Sequence, residues 1–504
     1  MADVLLTHSY HLFFDRKQVR KMKPYPPLGT LYAAALLRAH GISVALFDSM
    51  LENPDTGFPA ALARHQPRIV VLYEDNFNFL TKMCLTRMRE VAFSILDEAK
   101  GVKALTIVNG SDATDHATEY LQRGFDYVLL GEAEWTLLEL VTQLLKEKDR
   151  VPHAVPGISY LDRHRQEPLR TSPRKLMPDL DTLPFPAWDL IDGQIYRRAW
   201  IEAHGFFSLN LVSSRGCPYQ CNWCAKPIYG TSYNARSPES VAQEMLLLKK
   251  TFQPDHIWFA DDIFALKPHW TERFSQAVQR LDAAIPFQMQ SRVDLMNRST
   301  VRSLAAAGCE EVWMGAESGS QRILDAMDKG SRIEQIFSAR QNLKSAGIRA
   351  CFFLQFGYPG ETWKDIQLTI DLIRRAQPDD IGISVSYPLP GTKFYSLVQG
   401  DLKSKTNWED SEDLAMMFRG TYTAEFYRAL HDALHLEVEL TNIVLHNGGP
   451  PLREPTEEKF EDYLRQLMDL WLLVGQLESR CRNAKPTQLE ETLSSRSTLK
   501  AVTN

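Results

Sequence analysis

The chain has 504 residues, too many for one domain at about 100 to 200 residues each, so two or three domains are expected. Hydrophobic residues make up 44% and charged residues 24%, which excludes disorder, collagen-like structure and coiled coil as the main organisation. Lys plus Arg number 57 against 63 Asp plus Glu, and a net charge of −6 argues against a protein that grips nucleic acid through its phosphates.

Seven cysteines are too few for a disulfide scaffold at this length. The start, Met-Ala-Asp-Val-Leu-Leu-Thr-His, lacks the basic and apolar regions of a signal peptide, and no run of about 18 apolar residues offers a membrane span. A cytoplasmic protein with reduced thiols is expected.

Residues 1–150 read as a first domain. Short runs rich in Val, Ile and Leu (Val4–Thr7, Val44–Asp48, Ile69–Tyr73, Ala104–Asn109 and Tyr127–Leu130) suit strands buried on both faces. Helical patterns separate them. Leu28, Leu31, Tyr32, Ala35, Leu36 and Ala39 share one face before Gly41, and Leu137, Leu138, Val141, Leu144 and Leu145 share another. The fold class is α/β, and the alternation predicts a doubly wound, Rossmann-like parallel sheet with its ligand at the carboxyl ends of the strands.

Residues 151–203 are punctuated by Pro152, Pro156, Pro168, Pro173, Pro178, Pro184 and Pro186 and read as an ordered but irregular connection. Residues 204–400 hold a second βα series. Its strands are expected at Phe207–Ser213, His256–Asp261, Phe287–Arg292, Glu311–Ala316, Ala350–Phe356 and Ile381–Tyr387, the first five each followed by a helix pattern. Ser237-Pro238-Glu239 opens one helix with a cap and a first-turn proline. Six such units predict a partial parallel (β/α)6 barrel, with its chemistry at the C-terminal strand ends. Residues 401–504 read as a mainly helical region, around Thr423–Asn442 and Glu457–Leu477, with a polar frayed tail from Pro486.

The strongest motif follows the first barrel strand: Arg215-Gly216-Cys217-Pro218-Tyr219-Gln220-Cys221-Asn222-Trp223-Cys224. Cys217, Cys221 and Cys224 stand at C-x3-C-x2-C on one loop. Thiolates are the usual ligands of a 4Fe–4S cluster, and three of them leave one iron open to a small molecule. A structural zinc site is the alternative, with His204 as the nearest fourth ligand. Trp223 either shields the cluster or packs in the core. Cys84, Cys309 and Cys351 read as small buried apolar residues, and Cys481, in a polar context, as exposed.

This motif resembles the cluster-binding motif of the radical S-adenosylmethionine (SAM) superfamily. The resemblance implies that SAM chelates the open iron and is cleaved to methionine and a 5′-deoxyadenosyl radical, which abstracts hydrogen from an unactivated carbon. It also implies roles at the other strand ends. Asp261 and Asp262 would hold the SAM amino group, or cap the next helix. Arg292 would pair with the SAM carboxylate, or make a structural salt bridge. Glu317 and Ser318 would meet the methionine part or the ribose. Gln355, Gly357 and Glu361 resemble the fifth-strand adenine motif, and Tyr387 is a further adenine candidate. A flavodoxin- or ferredoxin-type reductase would supply electrons.

A doubly wound domain ahead of such a barrel resembles the cobalamin-binding class of this superfamily. Pro26-Pro27-Leu28-Gly29-Thr30-Leu31, Asn109-Gly110-Ser111-Asp112 and Leu130-Gly131-Glu132-Ala133-Glu134 lie at strand ends where cobalamin and its tail would lie. Tyr73-Glu74-Asp75-Asn76 would face the corrin's upper side. The barrel and Met417-Phe418-Arg419-Gly420-Thr421-Tyr422 resemble the group of the anaerobic magnesium-protoporphyrin ester cyclase. The histidine motif D-x-H-x-x-G is absent. Asp162-Arg163-His164 starts like it, but Glu167 replaces the glycine. Cobalamin is therefore expected without that histidine.

The expected activity is radical SAM modification of a small molecule at an unactivated carbon, with C-methylation first and oxidative cyclisation of a tetrapyrrole-like substrate second. A tRNA methylthiotransferase would need further front-domain cysteines and a basic tail, and a non-enzymatic iron–sulfur or cobalamin sensor would leave the strand-end polar residues incidental. Phe418, Tyr422, Phe426 and Tyr427 either line an apolar substrate pocket or pack in the core.

Overall fold

The computed structural model describes residues 2–78, 86–146, 154–162, 167–226, 228–402, 414, 416–445 and 457–483. Cys84, Arg163, His164 and the tail from residue 484 lie outside the described residues.

The first sheet contains the five expected parallel strands: β1 (Val4–Thr7), β2 (Val44–Leu46), β3 (Ile69–Tyr73), β4 (Leu105–Asn109) and β5 (Tyr127–Leu129), in the order β2-β1-β3-β4-β5. Alternate side chains feed two cores, as period-2 alternation requires. Leu5, Val70, Leu72, Val108 and Val128 meet Phe58, Leu62, Val91 and Ile95 from the helices Pro54–His65 and Thr86–Gly101. Val4, Leu6, Val71, Tyr73, Ile107 and Leu129 meet the helices Leu28–Ala39 and Glu134–Lys146, in a core that runs on into the second domain. The sheet is thus doubly wound.

The proline-punctuated stretch is more regular than its composition suggests. Two antiparallel strands, β6 (Ile158–Leu161) and β7 (Pro168–Arg170), extend the first sheet beyond β5. Ile158, Ser159 and Tyr160 are buried, whereas β7 is exposed, and Pro168 opens this edge strand, where its missing N–H is tolerated.

In the second sheet all six strands are parallel and neighbours follow chain order: β8 (Ser208–Leu211), β11 (His256–Phe259), β12 (Phe287–Ser291), β13 (Cys309–Glu317), β14 (Arg349–Phe356) and β15 (Asp380–Val385). A strand series that always steps to the same side, with helices between, builds the arc of a partial barrel. The helix Pro238–Thr251 begins where its sequence signals place it, with Ser237 Oγ accepting from Ser240 N at 3.1 Å. Between β8 and β11 a short antiparallel ribbon, β9 (Ser214–Arg215) with β10 (Asn234–Ala235), ties the base of the cysteine loop. Two long helices, Ala424–Leu445 and Glu457–Asn483, pack together beyond the barrel. Phe418, Tyr422, Phe426 and Tyr427 are buried in the shared core. No helix among the described residues is long and apolar enough to cross a membrane.

Candidate cofactor site

Cys217, Cys221 and Cys224 are free thiols, half-buried on the loop that the ribbon closes. Burial pushes the Cys224 thiol up to about 12 and raises Cys217, and the charges of the neighbouring cysteines add to both shifts, which puts the three sulfurs within electrostatic reach of one another. Among the described residues no three His, Cys, Asp or Glu side chains close on a single metal ion. His204, the expected fourth zinc ligand, is occupied elsewhere, with Nε2 3.0 Å from the carbonyls of Lys21 and Met22. The donor set fits an iron–sulfur cluster.

Local backbone explains why the loop holds. Gly216 has φ +76°, and a Cβ there would stand 2.0 Å from Ser232 O and 3.0 Å from Tyr229 O. Asn222 donates from its backbone N to Met327 O (3.0 Å) and from Nδ2 to Ala326 O (2.6 Å), and accepts from Phe394 N at its carbonyl. Gly216→Ala combines a left-handed residue, costing about 1–2 kcal/mol, with a clash against backbone. The chain should fold with unchanged helix content, while cluster uptake on reconstitution, read by iron and sulfide analysis, falls at least about twofold.

The strand-end residues divide into occupied and open groups. Asp261 is fully buried, and its carboxylate accepts from Ser213 N, Ser213 Oγ (2.6 Å) and Ser214 Oγ (2.5 Å). It therefore pins the root of the cysteine loop and caps no helix, the next one being preceded by Lys267. Burial raises its pKa to about 6. Asp262 is half-buried, and its charge acts on Cys217 and Cys224. Arg292 pairs with Asp294 (2.9 Å), stacks 3.7 Å from the Tyr219 ring centroid and brings Nη1 to 3.9 Å from Cys221 Sγ, so its guanidinium belongs to the cysteine loop.

Glu317 ends β13 at φ +60°, beside an irregularity in the β13–β14 register, and pairs with Lys329 at 2.6 Å, both buried. A left-handed glutamate is uncommon and marks a strained strand end. Ser318 is fully buried against Thr369 Oγ1 (3.2 Å) and Ser320 N (3.1 Å). Gln355 is buried with Oε1 unpartnered, an orphan acceptor suited to a ligand's N–H group. Glu361 Oε2 accepts from Gly357 N at 2.7 Å and holds that turn, where Gly357 has φ +77°. Tyr387 is half-buried just past β15. Trp223 is half-buried against the core with Nε1 unpartnered. Cys309 and Cys351 are buried as expected; Cys481 is half-buried, because it packs against the core between the C-terminal helices.

At the carboxyl edge of the first sheet, Asn76 Oδ1 and Ser111 Oγ are buried without partners. A cavity of ≈ 310 Å³ borders the end of β5, lined by Glu132, Trp135, Arg174, Met177 and Thr182 among others. Orphan polar atoms on a strand-end edge fit a ligand fringed with amides, as cobalamin is. Two of the three expected cofactor loops are committed to domain docking instead. Pro26 O accepts from Asn210 Nδ2 of β8 (2.9 Å), and Glu132 and Glu134 bind Arg215. The loop after β1 does carry histidines, but His8 sits between Asp48 Oδ1 (2.9 Å) and Ser49 Oγ (3.2 Å), and His11 Nδ1 meets Ser49 O at 2.8 Å.

Sequence reasoning included Arg215 and Asn222 in the cysteine motif without giving them roles, and missed Lys329.

Residues 211–373 match the Radical SAM superfamily, and residues 23–141 match the B12 binding domain. With the three-cysteine loop on a six-stranded parallel arc, these matches give the chain a radical SAM domain behind a B12-binding domain.

Among curated relatives it is 26% identical to an uncharacterized methyltransferase of Pyrococcus horikoshii, over 84% of this chain and 91% of that one. It is 25% identical to the hopanoid C-3 methylase of Methylococcus capsulatus (73% and 68%) and 25% identical to the anaerobic magnesium-protoporphyrin IX monomethyl ester cyclase of Rubrivivax gelatinosus (74% and 66%). The fold is that of the cobalamin-dependent SAM radical enzyme OxsB, solved with aqua-cobalamin and SAM bound, with a TM-score of 0.70 at 19% identity over 99% of this chain and 75% of that one.

Proposed function

We propose that the chain is a cobalamin-dependent radical SAM C-methyltransferase acting on a small molecule. A front domain over residues 1–150 would take cobalamin, a barrel over 204–400 would take the cluster and SAM, 151–203 would connect them, and 401–504 would be a mainly helical C-terminal region. One observation carries the reading. The cysteine loop abuts the strand ends of the front domain, since Arg215 reaches Glu132 and Glu134 after β5 and lies 5.4 Å from the Phe77 ring centroid after β3. Methyl transfer between two cofactors needs them side by side. The methylase names among the relatives support the same reading.

When bound, the cluster would supply the electron that splits SAM, and cobalamin would carry the methyl group. Cys217, Cys221 and Cys224 would hold the cluster, Asp262 and Gln355 would meet SAM, and Glu317 and Tyr387 would line its pocket; Asp261 and Arg292 would hold the cysteine loop in place, and Ser318 would stay with the packing beneath. The balance is two SAM and two electrons for each C–H converted to C–CH3. One SAM gives its methyl and leaves as S-adenosylhomocysteine; the other leaves as methionine and 5′-deoxyadenosine, which keeps the substrate hydrogen. A flavodoxin or ferredoxin would supply the electrons.

The test uses anaerobically reconstituted protein with hydroxocobalamin, a reductant and methyl-labelled SAM. Label recovered by mass spectrometry in protein-bound cobalamin is the expected result. Bound but unlabelled cobalamin, with 5′-deoxyadenosine forming, would overturn methylation in favour of oxidative cyclisation.

A further inference from the structure

We propose that Arg215 is a positioning residue that sets the distance between the cobalamin-binding face and the cysteine loop; this rests on the methyltransferase reading. Its guanidinium is buried and bridges two buried carboxylates of the other domain, with Nη1 2.7 Å from Glu132 Oε1 and Nη2 2.8 Å from Glu134 Oε1. Three rings surround it, Tyr32, Phe77 and Tyr229, with centroids 5.5, 5.4 and 5.2 Å from its central carbon.

Three features make this contact a gauge rather than glue. First, a buried ion pair is a weak source of stability for its cost, because desolvation offsets the attraction, so what it supplies is position. Here two carboxylates serve one cation, and Glu134 Oε2 is left buried without a partner. Second, a guanidinium is a planar fork, so two acceptors fix its position and its orientation. Third, there is no slack between fork and ligand. Arg215 lies in β9, Gly216 is wedged at φ +76° against Ser232 O, and Cys217 follows. On the other side Glu132 Oε2 accepts from Met177 N at 2.6 Å, so the acceptor is held as well.

A second buried arginine steadies the same plate. Arg236 of the barrel donates to Tyr32 Oη (3.1 Å) on the helix Leu28–Ala39 and pairs with Glu244. Tyr32 therefore contacts both arginines. Transfer between two bound groups is steep in distance, a misplacement of about 1 Å costing about 100-fold. Loss of Arg215 should therefore act on the transfer step and spare cluster and SAM binding.

The experiment compares wild type, Arg215→Lys and the triple variant Arg215→Met, Glu132→Gln, Glu134→Gln, which leaves no uncompensated buried charge. The first readout is hydrogen exchange of residues 128–134 and 213–217 in cofactor-free protein. The second is methyl label entering bound cobalamin, set against 5′-deoxyadenosine formation, cluster absorption and the SAM concentration for half-saturation. In the triple variant both segments should exchange faster and label transfer should fall at least about tenfold, with the other three quantities within about twofold of wild type; Arg215→Lys should recover part of the transfer. Label transfer within about twofold of wild type would overturn the proposal. So would a parallel loss of cluster absorption, which would make Arg215 merely structural. If wild type itself transfers no label, the methyltransferase reading fails and exchange alone decides the gauge: faster exchange at both segments supports it, and unchanged exchange overturns it.

Discussion

Replacing Cys217, Cys221 or Cys224 by alanine, one at a time, should abolish the visible absorption of the anaerobically reconstituted protein and reductive SAM cleavage with it. On the proposed reading three thiolates on one loop would be the whole protein ligand set, so each substitution would leave two, and metal sites draw a large apparent binding energy from a full set, on the order of 10 kcal/mol for zinc peptides. The loop should keep its shape without the metal. Asp261 pins Ser213 and Ser214, β10 closes the ribbon, and Asn222 is tied to Ala326 and Met327. The loss is therefore expected in the cluster and not in the fold, with far-ultraviolet circular dichroism unchanged. Cys309→Ala is the counterpart. It empties a buried site on β13, far in chemistry from any ligand, and should keep full absorption while lowering stability by about 1 kcal/mol. Full absorption in any one of the three loop variants would remove that residue from the ligand set.

What was legible in the sequence is what local pattern encodes. Val/Ile/Leu runs marked the strands because a doubly covered parallel strand must be apolar on both faces. Cysteine spacing marked the loop, and Ser237-Pro238 marked a helix start. The strand-end position of Asp261 was legible, but the groups that answer it were not. Its partners lie 47 and 48 residues away on β9 and the turn before it, and they convert an apparent ligand contact into a loop anchor. Glu132 looked like part of a cofactor loop until Arg215, 83 residues on, took its carboxylate. The hairpin β6–β7 escaped because prolines read as breakers, and only the open edge of the first sheet makes Pro168 acceptable there. Contacts across such separations are decided by which domain faces are pressed together, and single-segment composition carries no trace of that.

Glu361→Gln should remove a large alkaline destabilisation of the fifth-strand turn. Glu361 is 1% exposed, and burial raises its pKa from 4.5 to about 8, with Asp365 adding to the shift and Arg322 opposing it. Arg322 pairs with Asp365 across the same turn. From the helix Ala424–Leu445 and the segment before it, the Tyr427 and Tyr422 hydroxyls face the carboxyl, each raised by burial and by its charge. Below about pH 4.5 folded and unfolded chains both hold the proton. Between about pH 5 and 8 the unfolded chain has released it and the folded chain has not, so stability falls as pH rises, by about 1.4 kcal/mol per unit, and levels off above about pH 8. The total is on the order of 4 kcal/mol. Glutamine keeps an acceptor for Gly357 N and cannot ionise, so the variant should gain on wild type by that amount between about pH 5 and 9. Hydrogen exchange of residues 352–366, compared with wild type at each pH, measures the gain in the local turn, which suits a multidomain chain whose global unfolding is not one transition. A pH-independent difference would mean that Glu361 is ionised in the folded chain, and that a partner for its unpaired Oε1 stabilises the charge. A neutral carboxyl explains how the turn after Gln355 tolerates a buried glutamate whose Oε1 has no partner.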